Sequence, residues 1–200
     1  MARGILVSFA GYPYTPSSLM PDNGLANLAG SLIAAGHDVR VLDYGTVDTV
    51  ARLVPNYVHR RLDAVWKTAS GGKKGGYGAL ANLFLASVVQ STAMRSTLRH
   101  IAAEISREIE ARPTDFVGFK LWNGDGFSSS VRLAKAIRRR HPKVKIIGGG
   151  PQVDWFEEMI FGYTNAFHCL VRGEGEKSVT QLADWASGRR LLHGIPNVLY

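Results

Sequence analysis

Residues 3–43 alternate between apolar runs and a helical repeat, and this alternation constrains the fold more than any other feature of the sequence. Ile5–Ala10 is almost continuously apolar, as is usual for a strand buried on both faces of a sheet. Apolar residues then recur at helical spacing over Leu25–Ile33, and Gly36 marks the end of that helix. A second strand follows at Val39–Leu42. This βαβ unit predicts a parallel sheet with a right-handed crossover.

The same alternation returns in the C-terminal half of the chain. We predict three further strands there, at Phe116–Leu121, Val144–Ile147 and Phe167–Val171. We predict the helices at Ser128–Arg140, at Trp155–Phe161 and after Glu176. Five strands that alternate with helices indicate a doubly wound α/β domain, Rossmann-like or flavodoxin-like, in which a mostly parallel five-stranded sheet carries helices on both faces.

An oversized connection separates the second and third predicted strands. A crossover needs one helix, and this segment has room for three. We predict its helices at Val47–Lys67, broken near Pro55, and at Ala79–Ala111, broken near Ser91. Residues 1–194 are therefore expected to form one α/β domain with a helical insert at about 46–113. Residues 195–200 have the pattern of another strand, so we expect them to begin a following domain and the chain to be a fragment of a longer protein.

Composition excludes several classes of protein. The single cysteine, Cys169, excludes an internal disulfide framework, a cysteine-rich zinc site and an iron–sulfur cluster held by this chain alone. No apolar run approaches the roughly 20 residues that span a membrane, and the N-terminus lacks the pattern of a signal peptide. We therefore expect a cytoplasmic protein without a membrane partner.

The net charge of +8 is open to two interpretations. It can serve solubility, or it can attract an anionic partner such as a phosphate-bearing cofactor, an acidic protein or a nucleic acid. Because no aromatic-interleaved basic strand or helix-turn-helix pattern accompanies the charge, we expect no nucleic-acid partner.

Ligands of open α/β sheets bind outside the carboxyl ends of the strands, which directs attention to four loops. These loops follow Ala10, Leu121, Ile147 and Val171. Gly148–Gly150 would let a ligand approach the backbone closely, although three glycines before a proline also suit a simple turn.

Two phosphate-binding motifs and the common catalytic motifs are missing from these loops. Ser129 stands where a dinucleotide fingerprint needs its third glycine, which excludes an NAD site. Glu176 replaces the glycine before Lys177, which excludes a P-loop. The six histidines show no metal-ligand spacing, and no Gly-x-Ser-x-Gly sequence occurs. The residues therefore indicate a binding domain without a reaction centre.

Two strand ends carry a resemblance to a known family. Ile146–Pro151 is Ile-Ile-Gly-Gly-Gly-Pro and Val171–Glu176 is Val-Arg-Gly-Glu-Gly-Glu, followed by a helix and by Ile195-Pro196-Asn197. This succession resembles the N-terminal cobalamin-binding domain of cobalamin-dependent radical S-adenosylmethionine (SAM) enzymes. The resemblance covers nearly the whole chain except the helical insert. It implies a C-terminal radical SAM domain of the same protein as partner, in which a Cys-x-x-x-Cys-x-x-Cys motif holds a [4Fe-4S] cluster and SAM binds.

The resemblance also implies how a cofactor is bound. Cobalamin would lie across the carboxyl edge of the sheet, with its nucleotide tail directed toward Gly148 and Gly149. The loop after Ala10 lacks the Asp-x-His-x-x-Gly motif that supplies a cobalt ligand in older cobalamin folds, which implies base-off, His-off binding. Lys120 stands where those folds have a serine.

The predicted cofactor-binding residues come from the four loops, and neither catalytic residues nor protein ligands to a metal are predicted. They are Tyr12, Pro13, Tyr14, Thr15, Lys120, Leu121, Trp122, Asn123, Gly124, Ser128, Gly148, Gly149, Gly150, Pro151, Gln152, Arg172, Gly173 and Glu174. Tyrosine, leucine and tryptophan would supply apolar area for a flat corrin, and Asn123, Ser128 and Gln152 polar contacts.

Two functions are consistent with these observations. In the first, the chain is the cobalamin-binding module of a cobalamin-dependent radical SAM methyltransferase, which acts on an unactivated carbon of a peptide or small molecule. In the second, it is a cofactor-free, flavodoxin-like docking domain that binds a peptide or protein partner through its basic helical insert.

Overall fold

The computed structural model of the protein describes residues 1–11, 22–70 and 77–200. Its internal contacts divide the chain into two compact units. We call the first, Met1–Gly45 with Ile101–Tyr200, the sheet unit, and the second, Thr46–His100, the helical unit.

The sheet unit contains a six-stranded sheet among the described residues. Its strands are β1 (Arg3–Ser8), β2 (Asp38–Asp43), β3 (Phe116–Lys120), β4 (Lys145–Gly149), β5 (Cys169–Val171) and β6 (Val198–Leu199). They lie in the order β2-β1-β3-β4-β5-β6, with β1 to β5 parallel and β6 antiparallel to β5. This arrangement confirms the mostly parallel, doubly wound α/β fold.

The number of strands differs from our prediction of five. Val198–Leu199, within the segment that we assigned to a following domain, pairs with Leu170 and Val171 as the sixth strand. The amide of Arg172 also donates a hydrogen bond to the carbonyl of Asn197, at 2.9 Å. The segment thus satisfies backbone groups along the edge of β5, which would otherwise lack partners in the sheet.

Eight helices are present in the described residues. They are α1 (Asn23–Ala34), α2 (Val47–Leu53), α3 (Asn56–Ser70), α4 (Tyr77–Ala111), α5 (Asp125–Arg140), α6 (Pro151–Phe156), α7 (Met159–Tyr163) and α8 (Glu176–Ala186). The predicted break near Ser91 is wrong: α4 is continuous, because no glycine or proline interrupts its interior after Gly78. The single helix predicted at Trp155–Phe161 is two short helices, separated at Glu157, whose φ is 42°.

The first and last helices of the sheet unit pack together on one face of the sheet. Leu25 and Leu32 of α1, Leu182 of α8 and the strand residues Ile147 and Cys169 share one buried cluster. The chain passes from β1 to β2 in one direction along the sheet and from β3 to β4 in the other. Right-handed crossovers in opposite directions place their helices on opposite faces, so the winding reverses between β1 and β3.

The helical unit contains buried apolar residues and a hydrogen bond between two of its helices. Leu53, Val54, Val58 and Ala86 are buried there, and Nη1 of Arg61 on α3 donates a hydrogen bond to Oδ1 of Asn82 on α4, at 2.7 Å. Within the part of the chain that the structure describes, no helix has the length and apolarity that a membrane crossing requires.

Two histidines of the sheet unit are predicted to make its stability depend on pH. Nδ1 of His37 accepts the amide of Ala2 at 3.2 Å, and Nδ1 of His168 accepts the amide of Ile146 at 2.9 Å. Burial lowers the pKa of both histidines below the ordinary 6.5, and protonation would remove both acceptors. At low pH the unfolded chain therefore binds more protons than the folded chain. The free energy of unfolding has its full value above about pH 6.5 and falls as the pH decreases below that.

Urea unfolding at pH 7 and pH 5 measures this effect. We expect a lower unfolding midpoint at pH 5, and a smaller difference between the two pH values in a variant with His37→Asn and His168→Asn. An identical pH dependence in the variant would show that other groups are responsible.

A candidate cofactor site at the carboxyl edge of the sheet

A cavity of about 170 Å³ opens at the carboxyl edge of the sheet, between α1 and α8. It is lined by Leu6, Gly24, Leu25, Leu28, Gly118, Phe119, Lys120, Ile147, Gly148, Gly149, Gly150, Val171, Gly175, Glu176 and Val179. A cavity of roughly 150 Å³ with apolar walls accommodates benzene in another protein, so this one has room for a planar aromatic ring. Lys120 and Glu176 are the only charged residues among those that line it.

Gly149 leaves space in the cavity. It lies in register with Lys120 of β3 and Val171 of β5, and it shares a face with Ile147 because alternate residues of a strand do. A Cβ atom on Gly149 would lie 3.5 Å from the carbonyl oxygen of Val171 and 3.6 Å from its Cβ, which are ordinary contact distances. The backbone therefore tolerates a side chain here, and that side chain would extend into the cavity.

The two neighbouring glycines have different roles. A Cβ on Gly148 would lie 2.8 Å from Cδ2 of Leu170 and 2.9 Å from Cδ1 of Leu121, so close packing excludes a side chain. Gly150 has a φ of 110°, a conformation that favours glycine, and it precedes the first residue of α6. The sequence left open whether the three glycines serve a ligand or a turn. The structure shows space for a ligand beside Gly149 and a turn at Gly150.

A largely buried ion pair lies at the edge of the cavity. Nζ of Lys120 lies 2.7 Å from Oδ1 of Asp22 and 4.2 Å from the centre of the Trp122 ring. Nε1 of Trp122 donates to Oγ of Ser8 at 3.1 Å, and that hydroxyl donates to Oδ2 of Asp22 at 3.3 Å. The ammonium group of Lys120 is thus neutralised by the protein itself, although its side chain lines the cavity.

The other predicted residues after β3 shape this edge of the sheet outside the cavity. Leu121 is fully buried; its amide donates to the carbonyl of Gly149, and its own carbonyl accepts the amide of Gln152. Asn123 and Gly124 are exposed and lead into α5, where Oγ of Ser128 donates to the carbonyl of Asp125 at 3.3 Å. These residues place the start of α5 and α6 at the edge.

The residues after β5 bind to the segment that follows β4. Nη1 of Arg172 pairs with Oε1 of Glu157 at 2.9 Å, and the amide of Gly173 donates to Oδ1 of Asp154 at 2.6 Å. Glu174 is exposed, and Pro151 begins α6. Arg172 and Gly173 therefore fix the loop after β5 against the segment that follows β4.

The loop after β1 contributes four predicted residues, Tyr12, Pro13, Tyr14 and Thr15, which lie outside the described residues. Its described start approaches α5 closely. A Cβ on Gly11, whose φ is 79°, would lie 2.8 Å from the amide nitrogen of Gly126. The loop thus begins against the first turn of α5, beside Trp122 and the carboxyl ends of β1 and β3.

We did not predict from the sequence that two helices, α1 and α8, line the cavity. Leu25 and Leu28 of α1 and Val179 of α8 line it, whereas the helical repeat assigned leucine and valine at these positions to the core. Glycines at the helix starts, Gly24 and Gly175, were the available signal, because a Cβ atom there would lie within 3.3 Å of Lys120 Nζ or 3.2 Å of Leu28 Cδ2, both side chains that line the cavity.

The parallel sheet, the reversal of its winding and the cavity beside that reversal define a ligand-binding domain of the doubly wound α/β class. Residues 77–183, just over half of the chain, match the model of the B12 binding domain family. The chain therefore belongs to this family and is a cobalamin-binding module. Among curated proteins, none matches the chain.

Replacement of Gly149 tests whether the cavity binds the cofactor. We expect Gly149→Val to fill the cavity and to weaken hydroxocobalamin binding by about 2 kcal/mol or more, roughly thirtyfold, with little change in the melting temperature of the cofactor-free protein. Equilibrium titration and thermal unfolding give the two quantities.

Gly148→Val is the matched control, because its side chain would enter the packed opposite face and should lower the melting temperature. Unchanged cobalamin affinity in Gly149→Val, together with an unstable cofactor-free protein, would mean that the cavity is not the cofactor site.

Proposed function

We propose that this chain is the cobalamin-binding module of a cobalamin-dependent radical SAM methyltransferase that acts on an unactivated carbon of a peptide or small molecule. The observation that carries the proposal is the cavity beside Gly149 in a chain of the B12 binding domain family. The narrower assignment is supported by the Gly-Gly-Gly-Pro strand end and the Arg-Gly-Glu-Gly-Glu turn.

In this proposal the cavity holds the aromatic base of the nucleotide tail. Leu25, Leu28 and Val179 provide apolar walls and exclude water, and Gly149 provides the space. Lys120 and Glu176 provide the polar groups that face the tail. When bound, the cofactor supplies a cobalt centre able to carry a methyl group, while the protein supplies position and surroundings.

We further propose that cobalamin binds base-off and without a histidine ligand from the sheet unit. The histidines of this unit are associated with the amino edge of the sheet, opposite the cavity. His37 and His168 directly precede strands, His141 ends α5 ahead of β4, and His193 contacts the hydroxyl of Tyr200 just after the antiparallel β6. The loop after β1 contains no histidine in its sequence.

Electron paramagnetic resonance of the protein loaded with cob(II)alamin tests the ligand state. We expect a spectrum without the nitrogen hyperfine splitting that an axial nitrogen produces, because neither the cofactor's own base nor an imidazole would be bound to cobalt. Splitting that persists would contradict base-off, His-off binding. Its loss in a His59→Ala and His100→Ala double variant would trace the ligand to the helical unit.

The [4Fe-4S] cluster and SAM belong to a C-terminal radical SAM domain, which we propose as the partner of this module. Cys169 is the only cysteine of the chain, and burial raises its pKa to about 12, so it does not suit a cluster ligand. The proposed module binds cobalamin and leaves radical formation to the partner domain.

A protein that contains both domains, loaded with hydroxocobalamin, reconstituted with iron and sulfide and supplied with dithionite as the electron donor, is expected to convert SAM to both 5′-deoxyadenosine and S-adenosylhomocysteine. The present chain treated in the same way should form neither. Chromatography with mass detection measures both products. SAM cleavage by the present chain, or 5′-deoxyadenosine formed by the larger protein without S-adenosylhomocysteine, would contradict the proposed function.

The alternative of a cofactor-free docking domain is not supported, because the chain belongs to a cobalamin-binding family. A docking role for the helical insert does not require the absence of a cofactor and stands independently of it.

A further inference from the structure

A row of large apolar side chains on the N-terminal half of α4 is exposed to solvent. Tyr77, Leu80, Phe84 and Val88 follow one another at intervals of three or four residues and therefore share one helix face. Their exposed fractions are 93%, 63%, 67% and 46%. At 1.5 Å per residue the row is about 16 Å long. We call these four residues the α4 row.

The packing of the helical unit uses the opposite face of this helix segment. Asn82 accepts the hydrogen bond from Arg61 of α3, and Ala86 is 3% exposed. Both residues lie about half a turn around the helix from Phe84. The α4 row is therefore held in place by the rest of the unit while contributing little to its core, and contiguous exposed apolar surface of this kind is typical of an interaction site.

The positive charge of the chain is concentrated in the same unit. Residues 46–100 contain eight lysine and arginine residues against two acidic residues, an excess of six out of the total of +8. No acidic residue occurs between Asp63 and Glu104. Arg95 follows Val88 by seven residues, so it lies on the same face two turns further along, and both Arg95 and Arg99 are exposed. The α4 row thus ends at a group of cations.

We propose that the α4 row and Arg95 form a docking surface for an acidic peptide segment whose apolar side chains repeat at helical spacing. The apolar side chains of such a segment would pack against the row, as an amphipathic helix does in a groove or along a helix face. Its carboxylates would lie near Arg95 and Arg99, where opposite charge increases both affinity and association rate.

The charge distribution disfavours two other occupants. A second copy of the chain would bring the same excess of positive charge to the surface and be repelled. Helices that lie on anionic lipid carry cations along the sides of the apolar stripe, whereas residues 77–94 contain no charged side chain and the cations are grouped at one end. A discrete acidic segment next to apolar anchors matches this arrangement.

Fluorescence anisotropy with the full chain and a labelled synthetic peptide tests the proposal. The probe has leucine at helical spacing and glutamate at most other positions, and the comparator is a scrambled peptide of the same composition. We expect the patterned peptide to bind at least tenfold more tightly than the scrambled one. Phe84→Asp should weaken its binding at least tenfold and Arg95→Glu severalfold. Leu191→Asp changes an exposed apolar residue of the sheet unit, with 80% exposure against 67% for Phe84, and should have no effect.

Three results would overturn the proposal. The first is that the two peptides bind equally tightly, or that the Phe84→Asp variant binds the patterned peptide as tightly as the unchanged chain does. The second is tighter binding to phosphatidylglycerol vesicles than to the patterned peptide, which would identify a lipid surface. The third is a dimer in sedimentation that Phe84→Asp abolishes, which would identify a second copy. Hydroxocobalamin titration of each variant keeps this test separate from the proposed cofactor function, since the affinity for cobalamin should not change.

Discussion

The ion pair between Asp22 and Lys120 connects the elements on which the cofactor site is built. The carboxylate of Asp22 caps α1 through the amide of Leu25, accepts the hydroxyl of Ser8 from β1 and binds the ammonium group at the end of β3. The backbone amide of Asp22 also donates to the carboxylate of Asp43 at the end of β2. Because the Asp22 side chain is only 5% exposed, loss of one partner would leave a nearly buried charge uncompensated. The carboxylate and the backbone amide of one residue therefore fix three strand ends and a helix start relative to one another.

The reversal of winding between β1 and β3 explains why the cavity opens beside this pair. α1 leaves the sheet in one direction and the chain that follows β3 leaves in the other, so the ends of these crossovers diverge at the carboxyl edge. The antiparallel β6 lets α8 return to the face that α1 occupies. The two helices then form walls, and Gly149 between Lys120 and Val171 keeps the space between them open.

The cofactor site and most of the net positive charge lie in different units of the chain. The sheet unit has the cavity and the family match covers most of its second half, whereas residues 46–100 hold most of the net positive charge and the α4 row. The overall +8, which by itself was consistent with either solubility or an anionic partner, thus belongs mainly to the insert. A cofactor site and a partner surface on one chain differ in the charge that favours binding. A high net charge adds little to binding in a mostly apolar cavity, whereas it accelerates the encounter with an acidic segment.

Local patterns in the sequence were sufficient to predict the class of fold and the family. Buried parallel strands have a continuous apolar composition and helices a repeat of 3.6 residues, so β1 to β5 and the main helices could be located without tertiary information. The glycine-rich strand end and the turn after Val171 likewise pointed to a cobalamin-binding domain, which the family match confirms.

Only the tertiary structure decided which of these residues face the cavity. Gly148 and Gly149 are equivalent in sequence, but the register with Leu170 and Val171 places one against packed side chains and the other against open space. Lys120 was predicted to contact the cofactor, and its partner Asp22 lies 98 residues away in the chain. Composition and periodicity report the character of a segment over a few turns. The face of a strand, the partner of a charge and the use of an edge such as that of β5 depend on pairings between distant segments, and these exist only once the chain has folded.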